Sequence, residues 1–586
     1  MKKIILLISL FIFSFSLCEG QSWLWERSTL GIACNVSVAS DDNGNCFQAG
    51  FMIRDTVSFG TDTLRDNSNN YDAFIVKYSP AGNVIWAKQS EQKGNRIYSN
   101  GYTITTDKDG NAYLMANLMD TLIFDSDTLK TQGSGFPDTY LVKFDANGTE
   151  KWARESSVPS PTSFPAGNYS STDANGNTYI TGFFMDTVSF GNDTLKCLID
   201  SAGYTFLTKY DVNGNEKWAR QSAGFSPYGS EARFVAANNS GKVFIAGVFS
   251  DSVTFGNYKL TTVDAYNYDM FVVSYDTNGK VLWGRQAVIP SSASGVWCYG
   301  ITVDNAGNVY VSGSFIDTVV FGTDTLINNA SNYAWYALPY METECPFIVK
   351  YNALGEVVWT FQPKILDHNR WFSTSLSSDC HGNIYYIGDG GLPDSLCKIA
   401  FQSDILSLID TSYFDVPLYM IKMDTSGNVN CATIIRCGGT SYSNMVSSDT
   451  SGNYVYLGAN GGTVQIFGSD TLNPFKKNSM DASFVARWNG CDNPLYVNNI
   501  ILDEIKIIAF PNPSNGTFTL QTSGAQNFSS ATIEIYNVLG ERVKSEELRA
   551  KSEEIDLTGQ PNGIYLYRVL NEDGTLLGQG KIVVEK

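Results

Sequence analysis

Residues 173–222, DANGNTYITGFFMDTVSFGNDTLKCLIDSAGYTFLTKYDVNGNEKWARQS, hold one full copy of a unit that the chain repeats. Three landmarks define it. A turn, Asp173-Ala174-Asn175-Gly176-Asn177, precedes an apolar-alternating run. The block Asp186-Thr187-Val188-Ser189-Phe190-Gly191 follows, with Asp193-Thr194-Leu195 just after. A strand-like segment then ends at Thr208-Lys209-Tyr210, before a second turn at Asp211-Val212-Asn213-Gly214 and a run carrying Trp218. A fixed period of this length is the mark of a repeat architecture.

The glycine of the first turn recurs at Gly44, Gly110, Gly176, Gly241, Gly307, Gly382 and Gly452, in steps of 66, 66, 65, 66, 75 and 70 residues. The second-turn glycine follows at Gly82, Gly148, Gly214, Gly279, Gly355 and Gly427. Trp stands four residues later at Trp86, Trp152, Trp218, Trp283 and Trp359, with Cys431 in that place in the sixth copy. The sixth copy also lacks the Asp-Thr-aliphatic-x-Phe-Gly block and carries an insertion over Leu392–Asp415. Each copy has four strand-like segments; in the second these are Tyr102–Thr106, Ala112–Leu118, Thr139–Phe144 and Glu150–Glu155. Alternation with β-branched and aromatic residues favours strands, and the Gly turns suit tight hairpins. Four strands per copy without helical periodicity predict an all-β fold, a seven-bladed β-propeller of four-stranded blades.

The seventh copy reaches Phe484–Trp488 and the turn at Asn489-Gly490 without a fourth strand. Ser22-Trp23-Leu24-Trp25-Glu26-Arg27-Ser28 has the fourth-strand pattern of Lys217–Ser222, so the N-terminal strand is expected to close the last blade, with Trp25 in the Trp position and Trp23 turned away from it. Over residues 21–491 the pattern resembles a repeat family named after seven-bladed propellers, which implies a fold and almost no activity.

Residues 1–20 hold two lysines and an apolar run, Ile4–Leu17, and read as a signal peptide. The run is too short to span a bilayer, and Leu17 before Cys18 fits a lipoprotein cleavage site poorly. No transmembrane helix is expected in the mature chain. A net charge of −19 argues against nucleic acid and anionic lipid as partners. The cysteines have neither metal-type nor scaffold spacing; Cys431 with Cys437 and Cys380 with Cys397 are the nearest candidates for local pairing.

After a linker, 492–507, the pattern changes. Residues 508–586 contain Pro511-Asn512-Pro513-Ser514-Asn515-Gly516, then Ile535–Val543 with Gly540, then Pro561-Asn562-Gly563-Ile564-Tyr565. The short runs between Gly and Pro turns predict a small antiparallel sandwich of six or seven strands. The three motifs resemble the type A sorting domain of the Bacteroidetes type IX secretion system. The resemblance implies passage into the periplasm, then export to the surface or medium by that machinery through residues 508–586, with Pro511, Asn512, Pro513, Gly516, Gly540, Pro561, Gly563 and Tyr565 as the motif residues.

Catalytic signals are sparse. Of the two histidines, His381 occupies a variable turn position and His368 a longer loop. There is no nucleophile elbow, His-Glu-x-x-His helix or Gly-rich phosphate loop. The turn Asp107-Lys108-Asp109-Gly110-Asn111 superficially matches a calcium loop, but the fourth copy has Asn238-Asn239-Ser240-Gly241-Lys242 there, so a hairpin turn explains every copy. No metal, cofactor or catalytic residue is expected. The long second-to-third and inter-blade connections share one face and carry Tyr98, Tyr169, Tyr228, Trp297 and Trp371 with Arg96, Arg233 and Arg370. Functional residues concentrate on such loops, and aromatic faces suit sugars or proteins. The expectation is a non-catalytic module that binds a glycan or a surface protein. The alternative is a polysaccharide lyase or hydrolase with an acid–base pair at the channel mouth.

Overall fold

The computed structural model describes residues from Trp23 to Trp488 and from Lys506 to Lys586, apart from several connecting segments. The expected signal peptide lies outside these residues. Every regular element among them is a β-strand. The chain divides into two compact units, the larger Met1–Leu406 with Thr411–Val497, which holds the repeats, and the smaller Ser407–Asp410 with Asn498–Lys586.

Among the described residues the larger unit contains six four-stranded antiparallel sheets and one of six strands, in which the four strands of the sixth copy are extended by Gln465–Phe467 and Asp470–Leu472 of the seventh. In the third copy the strands are Phe164–Thr172, Thr178–Met185, Tyr204–Tyr210 and Glu216–Gln221, paired in chain order from the inside outward. The first strands touch one another in a closed cycle. Ala33–Ser40 meets Thr103–Thr106, which meets Phe164–Thr172, then Ser230–Ala237, Val296–Val303, Trp371–Ser378 and Met445–Ser448, and the last returns to Ala33–Ser40. This is a propeller, with its core in the layers between adjacent blades. Third strands such as Tyr204–Tyr210 and Asp269–Tyr275 are buried at every residue, as a strand covered on both faces must be.

The repeated residues have defined tasks. In the first turn, Asp173 Oδ1 accepts from the backbone N–H groups of Asn175 (2.9 Å) and Asn177 (3.0 Å). Its Oδ2 accepts from the Asn177 side-chain amide (2.8 Å) and the Tyr179 hydroxyl (3.3 Å). Trp residues of the fourth strands staple six of the blades to the next. Trp25, Trp86, Trp152, Trp218, Trp283 and Trp359 each donate Nε1–H to a carbonyl in the following blade's second turn, at Pro80, Ala146, Val212, Thr277, Ala353 and Thr425. The second-turn glycine lies under the ring. At Gly214, φ is +77° and an added Cβ would come within 2.7 Å of the Trp152 ring, so only Gly satisfies both demands.

The Asp-Thr-aliphatic-x-Phe-Gly block proves to be a hairpin, an element the four-strand reading missed. Thr187–Phe190 pairs with Asp193–Lys196, and Val188, Phe190 and Leu195 are buried. Asp186 closes its base at φ +62°, a conformation that Asp tolerates better than most residues. The hairpin also reaches the preceding blade, through backbone bonds between Ser157 and Ser189.

Trp23–Ser28 pairs antiparallel with the third strand of the seventh blade, Trp25 opposite Arg487 and Ser28 opposite Phe484. The N-terminal strand therefore completes that blade. Trp23, expected to turn away, is as buried as Trp25. A register irregularity falls between the two residues, and Leu24 is the one left exposed. Trp23 joins the core with Cys431 and Trp488, and Trp25 joins the core of the first blade. Both local disulfide candidates fail. Cys380 is a free thiol, and Cys431 and Cys437 lie six residues apart on one strand, Val429–Cys437, too far for a bridge.

In the smaller unit, Lys506–Phe510, Thr517–Ser523 and Ser552–Asp556 form one sheet. Ala531–Asn537, Arg542–Leu548, Gly563–Asn571 and Leu576–Val584 form another. Phe518, Leu520, Ile533, Ile555, Tyr567 and Val584 share one core between them.

Candidate functional site

The axial channel is lined by the first strands and encloses about 270 Å³. Its wall is a collar of hydroxyls that bond across blade boundaries: Thr105 with Thr172 (2.5 Å), Thr302 with Ser378 (2.8 Å), Ser377 with Ser448 (2.9 Å) and Ser40 with Ser447 (3.1 Å). These bonds tie the inner strands of neighbouring blades together.

A second cavity, about 140 Å³, opens on the long-connection face between the fourth and fifth blades. Gly229, Glu231, Arg233, Val248, Tyr268 and Trp297 line it. Glu231 and Arg233 both lie on the strand Ser230–Ala237, with Arg233 at the register irregularity between Ala232 and Phe234. Arg233 Nε donates to Glu231 Oε2 (3.3 Å), while Glu231 Oε1 accepts from Asn168 of the third blade (3.0 Å). Trp297 comes from the fifth blade's first strand and lies over Gly295, where an added Cβ would meet its ring at 2.7 Å. One cavity thus offers an aromatic face, a phenol, a guanidinium and a carboxylate.

A group of acids borders the same face. Asp389 ends the second strand of the sixth blade, and Glu344 precedes the third strand of the fifth. Burial, then the charge of Glu344, push the Asp389 carboxyl up to about 7. Burial, then the same Glu344, raise the phenol of Tyr299, while Arg233 lowers it. Arg233, Tyr299, Glu344 and Asp389 therefore share one electrostatic neighbourhood.

Of the expected ligand residues, the structure brings Arg233 and Trp297 together. Tyr169 does not join them; its ring packs 5.1 Å from Phe234 of the next blade and serves as inter-blade packing. The side chain of Trp371 and all of Arg96, Tyr98, Tyr228 and Arg370 lie outside the described residues. His368 does too, whereas His381 is an exposed turn residue whose N–H donates to Asp379. Sequence reading missed Glu231, Tyr268, Glu344 and Asp389. The nearness of Glu231 to Arg233 in the chain was a usable signal; the other three are gathered only by the ring.

The tail motifs pin the end of the chain to its own sheet. Asn512 donates its side-chain amide to the Lys581 carbonyl (2.7 Å) and accepts from the Val583 N–H (2.9 Å). Gly540 closes a turn at φ +81°, and the Tyr565 hydroxyl donates to the Pro561 carbonyl (2.8 Å). Residues 508–585 match the family described as "Secretion system C-terminal sorting domain". The tail is a secretion sorting domain. The sorting domain marks the chain for type IX export to the cell surface or the medium. Among the described residues no helix is long and apolar enough to cross a membrane.

Residues 282–314 match the family described as "Beta-propeller repeat". An uncharacterised WD repeat-containing protein of Acanthamoeba polyphaga mimivirus is 26% identical over 362 residues, 52% of this chain. The chain spans only 26% of that relative's length. A Dyadobacter fermentans protein of unknown function is 9% identical with a TM-score of 0.36, covering 80% of this chain and all of that one. A DUF4221 family member from Bacteroides vulgatus is 12% identical with a TM-score of 0.27, covering 68% of this chain and 98% of that one.

Proposed function

We propose that the propeller is a non-catalytic binding module, displayed at the cell surface or released, that takes a glycan or a surface protein on its long-connection face. One observation carries the proposal: Trp297, Tyr268, Arg233 and Glu231 converge on one cavity, while the channel hydroxyls bond one another. An aromatic face beside paired polar groups suits a sugar ring or a protruding side chain. The test is a glycan array and a surface-protein pull-down with the exported chain. Trp297→Ala and Arg233→Ala should each lower binding at least tenfold, and binding unchanged in both variants would reject this face.

A second reading rests on Asp389. A carboxyl held near neutral beside a second acid is the arrangement that polysaccharide-cleaving chemistry needs. On this reading the chain cleaves a polysaccharide, and Asp389→Asn abolishes the activity. No turnover on a broad polysaccharide panel would leave the binding role standing.

A further inference from the structure

The first strands of the third, fourth and fifth blades each carry an extra residue. Their register slips between Gly167 and Tyr169, between Ala232 and Phe234, and between Cys298 and Gly300. The extra residues, Asn168, Arg233 and Tyr299, stand eight positions before Gly176, Gly241 and Gly307, the first-turn glycines of their blades. A bulge leaves its extra residue out of the ladder and re-aims that side chain, which is why bulges gather beside binding sites. Three consecutive blades thus fill one position with Asn, Arg and Tyr, whereas a residue that builds the ring recurs unchanged, as the stapling Trp does in those blades' neighbours.

The bonds among these residues leave a defined set of groups for a ligand. Asn168 Nδ2 donates to Glu231 Oε1 (3.0 Å) and to the Ala232 carbonyl (2.9 Å), and Arg233 Nε donates to Glu231 Oε2 (3.3 Å). Both oxygens of Glu231 are engaged, and its charge is offset by Arg233. Among the described residues neither Nη of Arg233 makes a hydrogen bond, and the side chain is 31% exposed. The cavity therefore keeps one planar fork of donors beside the ring of Trp297.

Charge selects what fits there. Glu231, the acid that lines the cavity, is already spent on Asn168 and Arg233, so a cation gains little and meets the guanidinium. An anion enters the neighbourhood that Glu344 shares with Arg233 and Tyr299, on a chain of net charge −19. An uncharged ring with adjacent hydroxyls meets neither obstacle: its apolar face covers the indole, and two hydroxyl oxygens accept from the two Nη groups. A tyrosine or serine side chain of a protein partner offers one hydroxyl and leaves half the fork unpaired. At about 140 Å³ the cavity is smaller than most small-molecule pockets, roughly 300–1,000 Å³, and admits a single ring.

We infer that the cavity between the fourth and fifth blades takes one uncharged pyranose ring of a glycan, with its apolar face on Trp297 and two neighbouring hydroxyls on the Nη fork of Arg233. Glu231 and Asn168 are positioning residues that aim the fork and cancel its charge. The inference rests on the binding role proposed above and selects glycan over protein as the partner.

The exported full-length chain should be tested on immobilised mannan, galactan, xylan and β-glucan, and on polygalacturonate, at low and high salt. Wild type should retain at least one neutral polysaccharide, with affinity changing no more than about twofold with salt, and should not retain polygalacturonate. Trp297→Ala and Arg233→Lys, the latter keeping the charge but losing the fork, should each weaken that binding about tenfold or more. Glu231→Gln leaves the Arg233 charge uncompensated, so this variant should gain salt-sensitive binding to polygalacturonate, a change that a merely structural role would not produce. Retention of polygalacturonate by wild type, or of no polysaccharide at all, would overturn the inference. If a surface-protein ligand is then captured by wild type and lost in Trp297→Ala, the inference fails while the binding face stands. Neutral polysaccharide held equally well by wild type, Trp297→Ala and Arg233→Lys would overturn both.

Discussion

Lys77 and Asp41 form an ion pair of 3.5 Å with side chains only 5% and 0% exposed. Lys77 also donates to the Ala146 carbonyl of the next blade and lies over the Phe47 ring. The fourth blade carries Asn238 at the Asp place and Ser274 at the Lys place, with Phe244 matching Phe47. Both charges are absent there together, as expected when breaking a buried pair costs more than deleting it. Lys77→Ser alone should therefore destabilise the propeller by roughly 3–5 kcal/mol. Adding Asp41→Asn should recover much of that loss. Urea midpoints of the two single variants and the double variant check this, and additive losses would contradict it.

Asp269 gives a pH dependence. Burial, against weaker lowering by the Ile289 N–H and the Gln286 amide, pushes its carboxyl up to about 7. The folded state then holds a proton that the unfolded chain releases near pH ~4. Its contribution is present below that pH and is lost as pH rises toward 7. Asp269→Asn should match wild type near pH 4 and exceed it at pH 8. Thermal melts at the two pH values decide the matter, and a variant equally destabilised at both would refute it.

The four strands of each blade were plain in the sequence because alternation and glycine turns repeat with them. The second copy is expected at Ala112–Leu118 and Glu150–Glu155 and found there, with its third strand one residue longer at Asp138–Phe144. The Asp186 hairpin was not legible: its two four-residue strands are too short for a period, and Asp186 at positive φ shows only in coordinates. The burial of Trp23 was hidden for a related reason, since the two tryptophans serve different blades and a register irregularity separates them. Trp218→Ala, Trp25→Ala and Trp23→Ala should each lower stability by roughly 3–5 kcal/mol. Urea denaturation compares them directly. An unchanged midpoint for Trp25→Ala, with Trp218→Ala clearly lowered, would show that the N-terminal strand does not hold the ring.

On the proposed reading, recognition belongs to the propeller, while the address lies in the sorting domain. Aromatic and arginine content singled out the long-connection face, and Arg233 and Trp297 do meet there. The partners that make a cavity, Tyr268 and Glu231, and the acids Glu344 and Asp389, come from connections and strand ends of three blades. No linear spacing encodes such a meeting, whereas the sorting motifs are contiguous and were legible at once. The ring completes its own last blade with its N-terminal strand, so its folding does not require the tail. The most direct measurement is fractionation of a type IX-competent host expressing the chain without residues 508–586. The truncated propeller should accumulate in the periplasm, folded and protease-resistant, and be missing from the surface and medium. Truncated chain recovered at the surface or in the medium at wild-type yield would contradict the division.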